Sequence, residues 1–219
     1  MSDKILVILL GHKSMTGKDT FFSFIKDRGF KRVAFADKLK STVADLYNFS
    51  HDQMHGNSKD VMDTRYPNLI DPEFIRVKGL FGFSRKVKNP DYKPFLTPRR
   101  ILQIFGQQQR ALDPNIWANY VFNVEIARLV KEGHTKIVVT DFRFANEAKV
   151  AQTWSEANTN SSVLKLVKIN RPGTVAQSGA GDISENDLND FTGWSNEIVN
   201  NGSIDDYKLQ VDTLIQQYL

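Results

Sequence analysis

The chain has 219 residues, with 29 lysines and arginines against 25 aspartates and glutamates, a formal net charge of +4, and no cysteine. The missing cysteine excludes disulfide scaffolds, zinc ribbons and thiol nucleophiles, and it fits a reducing compartment such as the cytoplasm. A chain of this length buries about 70% of its unfolded surface without covalent or metal staples, and it reads as one domain over 1–219 carrying an insertion. The charge is uneven: residues 1–110 carry +9 and residues 111–219 carry −5. Nine basic residues and one acid fall between Arg76 and Arg110. Such a stretch is either a solvated basic loop or a surface that meets phosphate.

The continuous apolar run Ile5–Leu10 is too short for a signal-peptide core or a membrane span, and predicts a strand over 4–10 buried on both faces. A polar loop bounded by Gly11 and Gly17 follows, then a helix over 19–28 stopped by Gly29. A short β-like segment, 32–35, precedes a helix over 37–47. From 48 to about 97 the pattern degrades, with Pro67, Pro72, Pro90 and Pro94 among glycines. This reads as an insertion of short helices and connections.

Thr97-Pro98 and Asp113-Pro114 both have the form of helix entries, the second opening a helix over 115–132. A strand over 136–140 ends at Asp141, a helix spans 146–156, a strand spans 163–169, and a helix over 204–219 closes the chain. Strands alternating with helices predict an α/β fold built on a mainly parallel sheet. The loop 171–189, with Gly173, Gly179 and Gly181, is expected to act as a lid.

Gly17-Lys18-Asp19-Thr20 lies between the first strand and the first helix. There, backbone N–H groups wrap phosphate oxygens, the helix start adds positive potential, and Lys18 reaches the β and γ phosphates. The match to the usual phosphate loop is imperfect: His12 stands where the first glycine belongs, and Asp19 takes the usual hydroxyl position, with Thr20 one place later. Asp141, at the carboxyl end of a buried strand, faces the crevice where α/β sheets bind ligands. It either serves Mg²⁺ and a phosphate-binding arginine such as Arg143, or caps the following turn. Arg100, Gln103 and Gln107 share one helix face, a guanidinium fork beside two amides able to read a base edge. Trp117 either stacks on a base or fills the core.

Six motifs, in order, span nearly the whole chain: Gly17-Lys18-Asp19-Thr20, Phe35 to Lys40, Thr97 to Gln103, Asp113 to Trp117, Asp141 to Glu147, and Asn200 to Ser203. Together they resemble the deoxynucleoside monophosphate kinases of tailed bacteriophages. The chain also resembles, more distantly, phosphomevalonate and dephospho-coenzyme A kinases. The resemblance implies a three-layer P-loop NTPase fold with a helical substrate-binding insertion at about 48–97 and a lid at about 171–189. It implies transfer of the ATP γ-phosphoryl group to a deoxynucleoside monophosphate with Mg²⁺, in the cytoplasm of the host cell if the origin is a phage.

On this reading Lys18, Asp19, Asp141 and Arg143 are catalytic, and Lys13, Gly17, Lys18, Thr20 and Arg171 bind ATP. Asp37, Lys38, Arg100, Gln103, Gln107, Trp117, Arg143 and Glu147 hold the acceptor, and Asp19, Thr20 and Asp141 serve the metal. The expected partners are the two nucleotides, with no stable nucleic acid and no membrane; a homodimer is allowed. Two other readings stay open: a kinase of another phosphorylated small molecule, and a nucleic-acid-associated ATPase gripping a backbone through residues 76–110.

Overall fold

The computed structural model describes residues 4–78, 83–174 and 183–219. They fall into two compact units, 1–38 with 113–219, and 39–112. No helix among the described residues is long and apolar enough to cross a membrane.

The first unit is a five-stranded sheet in the order β2-β5-β1-β6-β7, with every neighbouring pair parallel. The strands are β1 (Ile5–Gly11), β2 (Lys31–Val33), β5 (Lys136–Phe142), β6 (Ser162–Asn170) and β7 (Asn196–Val199). Alternation sorts the apolar side chains to two faces. Leu6, Ile8 and Leu10 share a cluster with Val138, Val167, Ile169 and Ile198, and with Phe21, Ile25, Tyr207, Val211, Leu214 and Ile215. The last six belong to α1 (Lys18–Ile25) and α8 (Ile204–Tyr218), so these two helices roof one face. The other face is covered by α7 (Ala145–Ala157), which packs on β6, and by a helical run that packs on β2.

That run comprises α5 (Ile116–Tyr120), a π-helical segment Val121–Ile126, and α6 (Ala127–Lys131). The single helix expected over 115–132 is therefore interrupted by an expanded turn, a feature that apolar spacing does not betray. Phe122, in the π segment, packs against both Phe35 and Trp154.

Helix α2 (Phe35–Tyr47) starts two residues earlier than the sequence pattern predicts. The cause is distant in sequence: Asp141 accepts the N–H groups of Phe35 and Ala36, one on each carboxylate oxygen, at 2.7 and 2.9 Å. That satisfies two orphan donors of the first turn and draws Phe35 out of the expected strand. Strand β7 is also absent from the sequence reading, because four residues are too few to show a period.

The second unit contains α3 (His51–His55), a ribbon of β3 (Phe74–Lys78) and β4 (Ser84–Lys88), and α4 (Pro98–Leu112). Its core is Val43, Phe49, Met54, Leu96 and Ile101. Tyr66 donates its hydroxyl to the Tyr47 carbonyl and meets Tyr47 and Phe49 edge-on. The entry of α4 is as predicted, with Thr97 Oγ1 accepting the Arg100 N–H at 3.1 Å.

Tyr207 joins the α1–α8 roof to the loop between β1 and α1, donating its hydroxyl to the Gly17 carbonyl at 2.9 Å from a fully buried ring. Tyr207→Phe should cost about 1–2 kcal/mol in urea unfolding, since it orphans one carbonyl and opens no cavity.

Candidate active site

The loop between β1 and α1 owes its shape to a few special positions. A side chain at Gly11 would collide with Phe142 and Trp194 at 2.5–2.8 Å, so β1 ends on the residue that lets those rings close over it. Gly17 has φ 108°, and its carbonyl accepts the Phe21 N–H that starts α1. His12 and Met15 lie in left-handed backbone at φ 88° and 57°, a strained arrangement of the kind that gathers at ligand-binding loops. His12 therefore adopts the conformation a glycine supplies in the usual motif.

Lys18 lies inside this loop, 7% exposed. Its Nζ donates to the carbonyl of Lys13, to that of His12 at 3.4 Å and to Thr16 Oγ1 at 3.3 Å. Burial pushes its pKa down to about 8, helped by the Arg143 cation and opposed by Glu185, Asp141 and Asp19. His12 is pushed down to about 4 by burial and then by Lys168, Lys13 and Lys18. It is neutral at physiological pH and adds no charge to the cluster. Asn200, from the last predicted motif, donates to the Thr16 carbonyl at 3.0 Å and braces the loop from outside.

Arg143 is held by two different carboxylates. Glu147 Oε2 accepts the backbone N–H groups of Arg143 and Phe144 at 2.9 and 3.1 Å, capping α7. Its observed role is thus to fix the arginine's main chain. The guanidinium is engaged by Glu185, Nη1 to Oε1 at 2.5 Å. The other oxygen of Glu185 accepts the N–H of Ser14, in the loop between β1 and α1, at 2.9 Å. Burial works to raise the Glu185 pKa, but the Ser14 N–H and Arg143 outweigh it, and the group lies below the ordinary glutamate value.

Glu185 is the site residue that the sequence reading passed over. It stands in a short 3₁₀ turn, Ile183–Glu185, at the end of the expected lid. Only its acid type within the Ser184-Glu185 pair hinted at a role. Two residues on, Asp187 accepts the Ala145 N–H at the start of α7. The middle of the expected lid, 175–182 with Gly179 and Gly181, lies outside the described residues. Arg171 is exposed at its beginning.

Of the other predicted residues, Lys13 is half-buried, Asp19 is exposed and Thr20 is half-buried on the first turn of α1. Asp37 pairs with Arg32 at 3.0 Å, and the Lys38 ammonium lies over the Tyr120 ring. Asp141, already accepting two amides, has a raised pKa because burial outweighs those amides and Arg143. The turn-capping role left open for it is taken by the start of α2 instead. Trp117 is 8% exposed, in line with the core role left open for it; its Nε1 and Thr140 Oγ1 are buried with no hydrogen-bond partner among the described residues.

Arg100, Gln103 and Gln107 lie on α4 in the second unit. The Arg100 guanidinium forks Asp71, with Nε to Oδ2 at 3.0 Å. Gln103 is half-buried and Gln107 exposed.

No known family pattern matches this chain. It is 26% identical over 219 residues, 94% of each chain, to a protein of Acanthamoeba polyphaga mimivirus named "Putative deoxynucleotide monophosphate kinase". Among solved structures it is similar to dephospho-CoA kinase from Campylobacter jejuni, with a TM-score of 0.47 and 14% identity over 97% of this chain and 96% of that one.

Two predictions follow from the charges. Lys18→Met should lose pyrophosphate binding yet stabilise the ligand-free protein at pH 7 by about 1–3 kcal/mol, because it removes a cation that the fold holds protonated at a cost. The gain should shrink as pH rises from about 8 toward the unfolded lysine value, where the wild-type chain sheds that cost; melting curves across pH check both parts. Glu185→Gln should destabilise by about 1–3 kcal/mol at neutral pH, leaving a half-buried guanidinium without its counterion. The depressed carboxyl pKa makes this stability present above the ordinary glutamate range, so the difference should close as pH falls below it.

Proposed function

We propose that the protein transfers the γ-phosphoryl group of ATP to a deoxynucleoside 5′-monophosphate, giving ADP and the diphosphate. The observation that carries this reading is that Glu185 joins the loop around Lys18, through the Ser14 N–H, to the Arg143 guanidinium beyond β5, so that two cations lie near one carboxylate. An ATPase acting on water needs one phosphate cradle, whereas transfer between two phosphorylated molecules needs cations for both. The mimivirus relative, similar over 94% of the chain, carries the name of such an activity.

In this scheme the loop amides and Lys18 take the β and γ phosphates, and the dipole of α1 adds to their pull. Arg143 takes the acceptor phosphate, its main chain held by Glu147 so that the guanidinium arrives in a fixed place. An oxygen of the acceptor phosphate attacks the γ phosphorus as the bond to the β–γ bridging oxygen breaks, and ADP leaves. The acceptor is already an anion, so no strong general base is needed.

Mg²⁺ fits the donors present. Asp19 and Thr20 offer a carboxylate and a hydroxyl at the start of α1, and each Asp141 oxygen keeps a lone pair beyond the amide it accepts. Among the described residues no three acids or histidines group into a metal cage. That suits an ion taking most of its shell from phosphates and water. Bound there, it would neutralise charge on the transferring group.

A coupled ADP-release assay with ATP and each deoxynucleoside monophosphate tests the reading. Turnover should require a monophosphate, and Arg143→Ala should lower kcat/KM by about a hundredfold or more, the loss of roughly 3 kcal/mol of charge stabilisation. ADP release at one rate with and without every monophosphate would sink the proposal, as would full activity in Arg143→Ala.

A further inference from the structure

The basic stretch after Arg76 is divided by the structure into two kinds of cation. On α4 the arginines are already answered: Arg99 forks Asp60 at 2.6 and 3.0 Å, and Arg100 forks Asp71. The ribbon β3–β4 is different. Its antiparallel register sets Phe74 opposite Lys88, Arg76 opposite Lys86 and Lys78 opposite Ser84. Directly opposed residues share a face, and alternation brings every second residue back to it. Arg76, Lys78, Lys86 and Lys88 therefore lie together on one face, and all four are exposed. The opposite face carries Ile75 and Val87, the half-buried pair of the ribbon.

No carboxylate lies on either strand, and none of the four cations enters an ion pair with the described residues. Arg76 and Lys86 are like charges placed directly across the ladder, a destabilising pairing. Phe74 sits among them, 46% exposed, with the Lys86 ammonium 4.5 Å from its ring centroid. Alternate residues along a strand are spaced by about 7 Å and opposed ones by about 5 Å. The four charges thus form a short row on the scale of successive phosphates in a nucleic-acid strand, with an aromatic ring at one end.

We propose that this ribbon face binds single-stranded nucleic acid, its cations on consecutive phosphates and Phe74 against a base. Cations tracking a backbone beside an exposed aromatic are the two components of sequence-tolerant single-strand binding. A phosphate chain also removes the like-charge repulsion that the free ribbon carries. The site is separate from the kinase reading and requires neither ATP nor a monophosphate.

The test is fluorescence anisotropy of a labelled oligothymidylate with the full chain, without nucleotide, across a salt series. Four neutralised phosphates predict a log–log slope of about −3, so affinity should fall roughly fiftyfold between 50 and 200 mM salt. Lys86→Ser with Lys88→Ser should about halve that slope, and Phe74→Ala should weaken binding at least fivefold or so without changing it. The charge-removing variant relieves repulsion, so its melting temperature should equal or exceed that of the parent chain. Absence of binding at 50 mM salt would overturn the proposal, as would a slope unchanged in the double variant. Inorganic polyphosphate competing as well as the oligonucleotide, phosphate for phosphate, would also overturn it.

Discussion

A buried ammonium surrounded by main-chain carbonyls persists only where the backbone is held rigidly around it. Lys18 is such a group, and much of the first unit serves to hold it. Gly11 ends β1 where two aromatic rings leave no room for a side chain. The left-handed residues His12, Met15 and Gly17 turn the loop, and Asn200 and Tyr207 pin it from the last segment of the chain. The parallel sheet places these pieces together, since β1 is central and its carboxyl end meets the ends of β5 and β6. A depressed lysine pKa is the cost of that burial, and on the proposed reading an arriving phosphate offsets it by stabilising the charged form.

The same logic explains the two carboxylates on Arg143. A guanidinium held near other cations keeps one position only when both its backbone and its head group are restrained. Glu147 does the first from within α7 and Glu185 does the second from the far side of the expected lid segment. Because Glu185 also accepts the Ser14 N–H, one carboxylate ties together the two places where phosphates are proposed to bind. Asp141 has a third task, opening α2, the helix through which the chain passes from the first unit into the second.

Local and strongly patterned features were legible in the sequence. The apolar run of β1, the Thr97-Pro98 entry and the closing amphipathic helix each carry their signal within a few residues. The Gly-Lys loop was legible because its chemistry depends on position between a strand and a helix. What escaped was non-local or too short. The start of α2 depends on a carboxylate 105 residues away, and the Ser14–Glu185 bond spans 171. The π segment keeps an apolar face that a regular helix would also show, and β3, β4 and β7 have five residues or fewer. Trp117 shows the limit from another side: residue type left a base platform and a core role open, and its burial favours the core role.

The +9 of the first half looked, along the chain, like one basic region. In space it is at least three things. Lys18 belongs to the loop between β1 and α1, where it is buried among main-chain carbonyls. Arg65, Arg99 and Arg100 are answered by Asp63, Asp60 and Asp71 within the second unit, so they contribute architecture more than field. Four of the five ribbon cations, Arg76, Lys78, Lys86 and Lys88, have no such answer among the described residues and are aligned by β register on a single face. Linear charge density says only that phosphate is a plausible counterpart, whereas pairing decides which cations remain available to it. An exposed like-charge pair held across a ladder lowers the stability of the ribbon that carries it. Where a fold retains such a pair beside an exposed aromatic, the economical explanation is an anion supplied from outside.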